Sequence, residues 1–300
     1  MNAGDVATIF EQIKNWGRWG ADDERGALNF ISPDVRKRAV ATVRDGVAVS
    51  CALALNTIPS DENASPVTHL MVRGGDLTDA TGSADYFAIA THGMAHTHLD
   101  ALCHIFHDGR MYNGYPQSKV TSMGALANAI TSGENGIVSR GVLLDVAAAR
   151  GVDYLEPGDQ IHPADLEAAE RRGGLQVAEG DILLVRTGRH LRKRRLGHWN
   201  GRETLAGLYA DCLPWLHERR IAVLGCDGIS DVLPSGVDGV RLPIHLCTIV
   251  SMGVHLIDNA QLEDLAVACS DRQRWEFLLT LAPLRLERGT GCPINPIALF

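Results

Sequence analysis

Apolar residues recur along the chain with two periods, and the switches between them divide it into elements. Val6, Ile9, Phe10 and Ile13 follow helical spacing and predict a first helix over residues 5–16. Ser32 followed by Pro33 has the form of an N-cap and first-turn pair, which opens a second helix running to about Arg44. VAVSCALAL (47–55) and YFAIAT (86–91) predict strands, and the polar, turn-rich stretch 56–84 between them predicts an excursion or hairpin. GVLLDV (141–146), DILLVRT (181–187) and IAVLGCD (221–227) are short apolar runs of the kind buried strands show. PADLEAAERRG (163–173), with Pro at its start and Gly at its end, and DCLPWLHERR (211–220) are the helices between them. LEDLAVACS (262–270) reads as a helix and WEFLLTLAPLRL (275–286) as a final strand, followed by a proline-broken apolar tail. Strands alternating with helices, without repeats or a linker, predict one α/β domain over 1–300, a mixed sheet with flanking helices.

Composition narrows the function classes. The chain has 300 residues, 45% hydrophobic and 21% charged, which fits a globular protein with an ample core. Its net charge of −8 argues against general nucleic-acid binding. GRHLRKRRLGH (188–198) is basic but lacks interleaved aromatics, so it reads as a solvated helix or loop face; its functional alternative is attraction of an acidic substrate. The 7 cysteines include no C-x-x-C pair, which predicts reduced thiols and a cytoplasmic protein. Neither a signal peptide nor a run of about 18 apolar residues is apparent, so no membrane partner is expected.

The strongest local signal is a cluster of histidines. Of 12 in the chain, five lie between residues 92 and 107: His92, His96, His98, His104 and His107, with Asp100 among them. In an extended segment His96, His98 and Asp100 share one face. His and Asp donors together suit Zn²⁺, Mn²⁺ or Fe²⁺, and a site with few protein ligands leaves positions open for water and substrate. A helical turn after Asp100 would return His104 to the same place, where it could move protons. Downstream, His245 and Asp258 are further candidates, although Asp258 or Asn259 could equally cap the helix at 262–270. His255 reads as a packed residue. The Asp- and Gly-rich segment 226–240 suits either a ligand loop or ordinary turns.

THLDALCH (97–104) resembles the motif H-x-G-T-H-x-D-x-P-x-H of the putative cyclase family, which includes bacterial kynurenine formamidase, isatin hydrolase and trans-dienelactone hydrolase. NWGRWGADDERGALNFISP, FHDGRMYNGYP, SRGVLLDVA, GDILLVRTG, the MG…LEDLA stretch and the closing PINPIA extend the likeness over nearly the whole chain. The resemblance implies a metal-dependent hydrolase with a mixed α/β fold of swivelling β/β/α type, assembled as a homodimer or homotetramer. It implies His98 and Asp100 as metal ligands and His104 as the proton-transfer catalyst, with His245 and Asp258 matching a later His and acidic residue. The first His of the motif falls on Met94, and a thioether is a poor ligand for Zn²⁺ or Mn²⁺. Either His96 or His92 takes its place, or the metal rests on fewer residues, or metal is lost.

The expectation is therefore a hydrolase that opens an amide, lactone or cyclic imide of a small molecule with the help of a divalent metal. A cyclase or dehydratase would use the same groups in the other direction. A non-catalytic binding protein is the reading that Met94 motivates. Trp16, Trp19 and Phe30 could line an apolar substrate pocket, the alternative being core packing.

Overall fold

The computed structural model describes residues 1–300. One mixed sheet of nine strands runs through it. In chain order these are β1 (Ala48–Ser50), β2 (His98–Asp100), β3 (Ile137–Asp145), β4 (Ile182–Arg186) and β5 (Val223–Cys226), then β6 (His255–Asp258), β7 (Glu276–Leu281), β8 (Gly291–Pro293) and β9 (Ile297–Leu299). Their spatial order is β1-β9-β7-β3-β4-β5-β6-β2-β8. The centre, β3-β4-β5-β6, is parallel, and antiparallel pairs flank it on both sides. These central strands are buried along almost their whole length, as the apolar runs VLL of β3, ILLV of β4 and VLGC of β5 require.

Helices α1 (Ala3–Gln12), α2 (Pro33–Val40), α3 (Pro163–Gly173), α4 (Arg189–Leu196), α5 (Cys212–Arg219) and α6 (Glu263–Arg272) cover the sheet. Two large apolar clusters, built around Leu144, Val185 and Leu224 and around Leu143, Leu184 and Phe277, fill the layers. Local chemistry sets several boundaries. Asn2 and Asp5 form a capping box, so α1 starts before residue 5 and is over by Ile13. Ser32 accepts from the Val35 amide at 3.2 Å, with Pro33 in the first turn, but α2 stops at Val40. Gly174 ends α3 in the left-handed region at φ 61°.

Four expectations need correction. The predicted strand 47–55 keeps only its first three paired residues, because β1 has a single neighbour, β9. The strand expected at 86–91 is instead Ala84–Ala88, and it pairs with Thr68–Arg73 in an exposed two-stranded ribbon outside the main sheet. The strand at 275–286 ends at Leu281 and is not the last. β8, an edge strand that tolerates Pro293, and β9, which begins after Pro296, follow it. The basic helix α4 is not wholly solvated: Arg189 and His190 are buried. Arg189 donates to Asn259 Oδ1 at 2.7 Å and to Glu62 Oε1 at 2.9 Å. All seven cysteines are free and buried. No helix is long and apolar enough to cross a membrane.

Candidate active site

Alternation along β2 puts His98 and Asp100 on one face, with Leu99 turned into the core. β6 lies antiparallel beside it, and its register sets Asp258 opposite His98. On the other side β8 sets Gly291 opposite Asp100. His245 arrives from a separate segment, a one-turn helix at Pro243–His245 that continues as a π-helical stretch, Leu246–Met252. Thr248 Oγ1 donates back to the Ile244 carbonyl at 2.6 Å, a side-chain bond that competes with the regular ladder where the widened turns form.

Four donor groups converge there. His98 Nε2 lies 3.6 Å from Asp100 Oδ1 and 3.9 Å from Asp258 Oδ2. His245 Nε2 lies 3.7 Å from Asp100 Oδ2 and 3.4 Å from Asp258 Oδ2. Both imidazoles are pinned through their other nitrogen. His98 Nδ1 bonds the His96 carbonyl at 2.8 Å, and His245 Nδ1 bonds Asp231 Oδ2 at 2.6 Å. Each therefore turns Nε2 toward the carboxylates. Asp231 is itself fixed by the amides of Ile244 and His245, at 2.7 and 3.1 Å.

The polar bookkeeping is incomplete in an informative way. Asp100 Oδ2 and Asp258 Oδ1 are buried and accept no hydrogen bond. Buried carboxylate oxygens without partners are costly, and two such groups around one imidazole nitrogen repel each other. A divalent cation removes both penalties. Donors held about 2.0–2.2 Å from one ion would stand roughly 3–3.5 Å apart, close to the separations seen. The residues present thus fit a divalent metal.

Charge shapes the titration of the cluster. Burial pushes the Asp100 carboxyl up, but the imidazoles of His104, His92 and His98 outweigh it and hold it well below the carboxylate range. Burial would lower His245, yet Asp258 and Asp231 hold it well above an ordinary imidazole. Burial pushes His104 down to about 4 against the pull of Asp100.

His104 follows β2 in a turn that brings its Nε2 to 3.9 Å from Asp100 Oδ2, with a quarter of its side chain still exposed. His92 stacks flat on it, ring centroids 3.8 Å apart. His92 Nδ1 bonds Asp100 Oδ1 at 2.9 Å, and its Nε2 faces Thr290 Oγ1 at 3.1 Å. Gly291 makes this placement feasible, since a Cβ there would stand 2.7 Å from His92 Cε1 and 2.8 Å from the Leu99 carbonyl.

Other candidate residues lie elsewhere. β2 begins only at His98, so the alternation does not reach back to His96. That residue is buried outside both possible ligand groups, His92–His98–Asp100 and Asp100–His245–Asp258, and its ring nitrogens have no partner. Met94 packs against Leu205 and Leu233. Trp16 donates to the Val250 carbonyl at 2.7 Å and meets Phe10 edge-on, while Trp19 meets Phe30 edge-on at 5.0 Å. These aromatics pack within the chain, and none of those contacts involves the His/Asp cluster. Asp258 caps no helix, because α6 starts after Leu262 without a side-chain cap. Asn259 instead donates to the carbonyls of Gly93 and His96 and steadies the loop before β2. His255 is packed, with Ser132 at 3.3 Å.

His92 and Asp231 complete the arrangement. His92 was a possible substitute for the absent first ligand, but nothing in the sequence signalled its stacking on His104. Asp231 had a signal in the clustered acids of 226–240, which turn chemistry could equally explain.

Comparison with known proteins adds the following. A family model described as "Putative cyclase" matches residues 29–231. The crystal structure of a novel cyclase superposes with a TM-score of 0.87 at 30% identity, covering 96% of this chain and 99% of the other. Isatin hydrolase A from Ralstonia solanacearum gives 0.60 at 19% identity, covering 87% of this chain and 93% of its own. An isatin hydrolase bound to the product analogue thioisatinate gives 0.61 at 18%, covering 88% and 95%. The last two share the fold. No curated protein matches the chain.

Proposed function

The chain belongs to the putative cyclase family, and from that premise we propose that it is a metal-dependent hydrolase opening an amide, lactone or cyclic-imide bond of a small molecule. The observation that carries this reading is the buried set of four converging donors with two carboxylate oxygens left unpartnered. His98, His245, Asp100 and Asp258 would hold the metal. Their mixture of imidazole and carboxylate suits Zn²⁺ or Mn²⁺. Such an ion, when bound, polarises a carbonyl and makes water a stronger nucleophile at neutral pH.

The chain's own groups supply the rest. Asp231 and the His96 carbonyl hold the two imidazoles in one orientation, so the donors need no rearrangement. His104, held neutral by burial, accepts a proton at Nε2 and returns it to the leaving nitrogen or oxygen. His92 stacks on His104 and bonds Asp100, which fixes the attitude of both. Met94 motivated a non-catalytic reading, but the four donors come from other positions and leave Met94 a packing role. The same groups would lower the barrier for ring closure, so direction follows from the substrate.

Metal analysis of untagged protein tests the reading first. We expect about one equivalent or more of Zn or Mn, lost in His98→Ala. Protein that stays metal-free after incubation with both ions would overturn it. His104→Ala should keep its metal and lose roughly 10²–10⁴-fold in turnover on aryl formamides or lactones; full activity would remove His104 from its role. We further propose a homodimer or homotetramer, supported by the exposed apolar ribbon 68–88, and a cytoplasmic location, supported by seven free cysteines.

A further inference from the structure

Two cavities lie beside each other near helix α4, and the smaller of them reaches the edge of the His/Asp cluster. The larger measures about 500 Å³, the size of a small-molecule pocket, and the smaller about 70 Å³. They share Glu62, Asn63, Met94 and Ala95 in their walls, so they adjoin. The smaller one reaches His92, the residue that bonds Asp100 and stacks on His104. A group seated in the smaller cavity is therefore beside His92, and the rest of a molecule can extend into the larger cavity that adjoins it.

Their walls carry a charge opposite to that of the chain. Arg189, Lys193 and Arg194 line the larger cavity and Arg202 the smaller, against one carboxylate, Glu62. The net charge of the whole chain is −8. Glu62 is already engaged by Arg189 at 2.9 Å and Lys193 at 2.6 Å. Burial pushes its carboxyl up, but those two cations hold it below the usual range, so it stays ionised and committed to them. Arg194 and Arg202 make no ion pair. His96 also lines the smaller cavity. It is 3% exposed, and neither ring nitrogen has a partner. An unmet buried donor is a cost that an oxygen seated in the cavity would relieve.

We infer that the substrate of this site carries a carboxylate, received between Arg202 and His96 in the cavity beside His92, with the basic face of α4 lining its approach. The inference rests on the hydrolase reading and names its substrate class. A guanidinium and an imidazole N–H provide charge-assisted bonds to a carboxylate. A surplus of cations at a concave mouth also raises the local concentration of anions.

Matched probes test it on the protein with its native metal: 2- and 3-formamidobenzoate against formanilide for turnover, and benzoate against benzamide for binding by calorimetry. We expect kcat/KM at least tenfold higher for one carboxylated formamide than for formanilide, a ratio that falls to within threefold of one in Arg202→Ala. Benzoate should bind and benzamide should not, and Arg202→Ala, an exposed position, should weaken benzoate at least fivefold with metal content unchanged. Equal binding of benzoate and benzamide, or benzoate affinity unchanged in both Arg202→Ala and His96→Ala, overturns the inference. Turnover of formanilide and the carboxylated probes at equal rates overturns it too, while the hydrolase reading stands. Variant-sensitive benzoate binding without turnover of any probe supports the anion site and counts against the hydrolase reading.

Discussion

At the scale of single residues, Asp231 makes the most specific claim. It lies in the loop after β5, fully buried, and bonds His245 Nδ1 at 2.6 Å while accepting two backbone amides. A carboxylate in that position keeps a proton on Nδ1 and aims Nε2 between Asp100 and Asp258, where it would give up its own proton to become a ligand when a metal binds. In Asp231→Asn one oxygen remains for an amide, but the new Nδ2 donor faces His245 or the backbone and disturbs the tautomer. Metal affinity should fall about 10–100-fold, measured by competition with a chelator. Unchanged affinity would make Asp231 a loop anchor only. Among the metal and proton-transfer candidates, the readable part was local. His98 and Asp100 follow from a two-residue period, and His104 from a turn placed four residues on. His92 was readable only as one of two possible substitutes for the missing first ligand; its bond to Asp100 and its stacking on His104 were not. Its place depends on the missing side chain of Gly291, a strand and almost two hundred residues away.

At the scale of elements, the strands that could be read were those whose side chains face core on both sides. β3, β4 and β5 are central, and their apolar runs announce them. β8 and β9 escaped because the closing GCPINPIALF carries prolines and almost no period; β8 tolerates Pro293 at the sheet edge, and β9, paired on both sides, begins only after Pro296. β8 matters more than its three residues suggest, since it closes the floor under His92. Gly291→Ala places a methyl group against His92 Cε1 and the Leu99 carbonyl. Backbone cannot yield there as a flexible side chain would, so the imidazole or the strand must shift. We expect a loss of about 1–3 kcal/mol in stability, seen as a lower thermal midpoint, and reduced turnover with it. A variant with an unchanged midpoint and full activity would show that β8 does not set the position of His92.

At the scale of the whole molecule, one feature is out of keeping with an isolated chain. The ribbon formed by Thr68–Arg73 and Ala84–Ala88 exposes large apolar side chains on both faces, one of which also carries the His69–Asp85 ion pair. Leu70 pairs with Tyr86 on one face, and Met71 and Phe87 lie on the other; all four are more than half exposed, as is Val72. Two short strands rarely hold together in water without a third layer. Apolar groups clustered in this way usually mark a contact surface. A second copy of this chain is the partner that closed symmetry favours, because two ribbons docking reciprocally bury both at once. The ribbon is also rooted beside the site: Glu62 and Asn63 of the cavity wall precede it, and His92 follows it by four residues. Seating it on a partner would therefore fix the cavity mouth as well as the assembly. Light scattering should give two or four times 32.4 kDa. The double substitution Leu70→Ser with Phe87→Ser should shift the population toward the monomer and raise KM more than it lowers kcat, since the donors at β2 and β6 stay where they are. A monomer at micromolar concentration, with the same kinetics in the substituted chain, would reduce the ribbon to an exposed excursion of this fold.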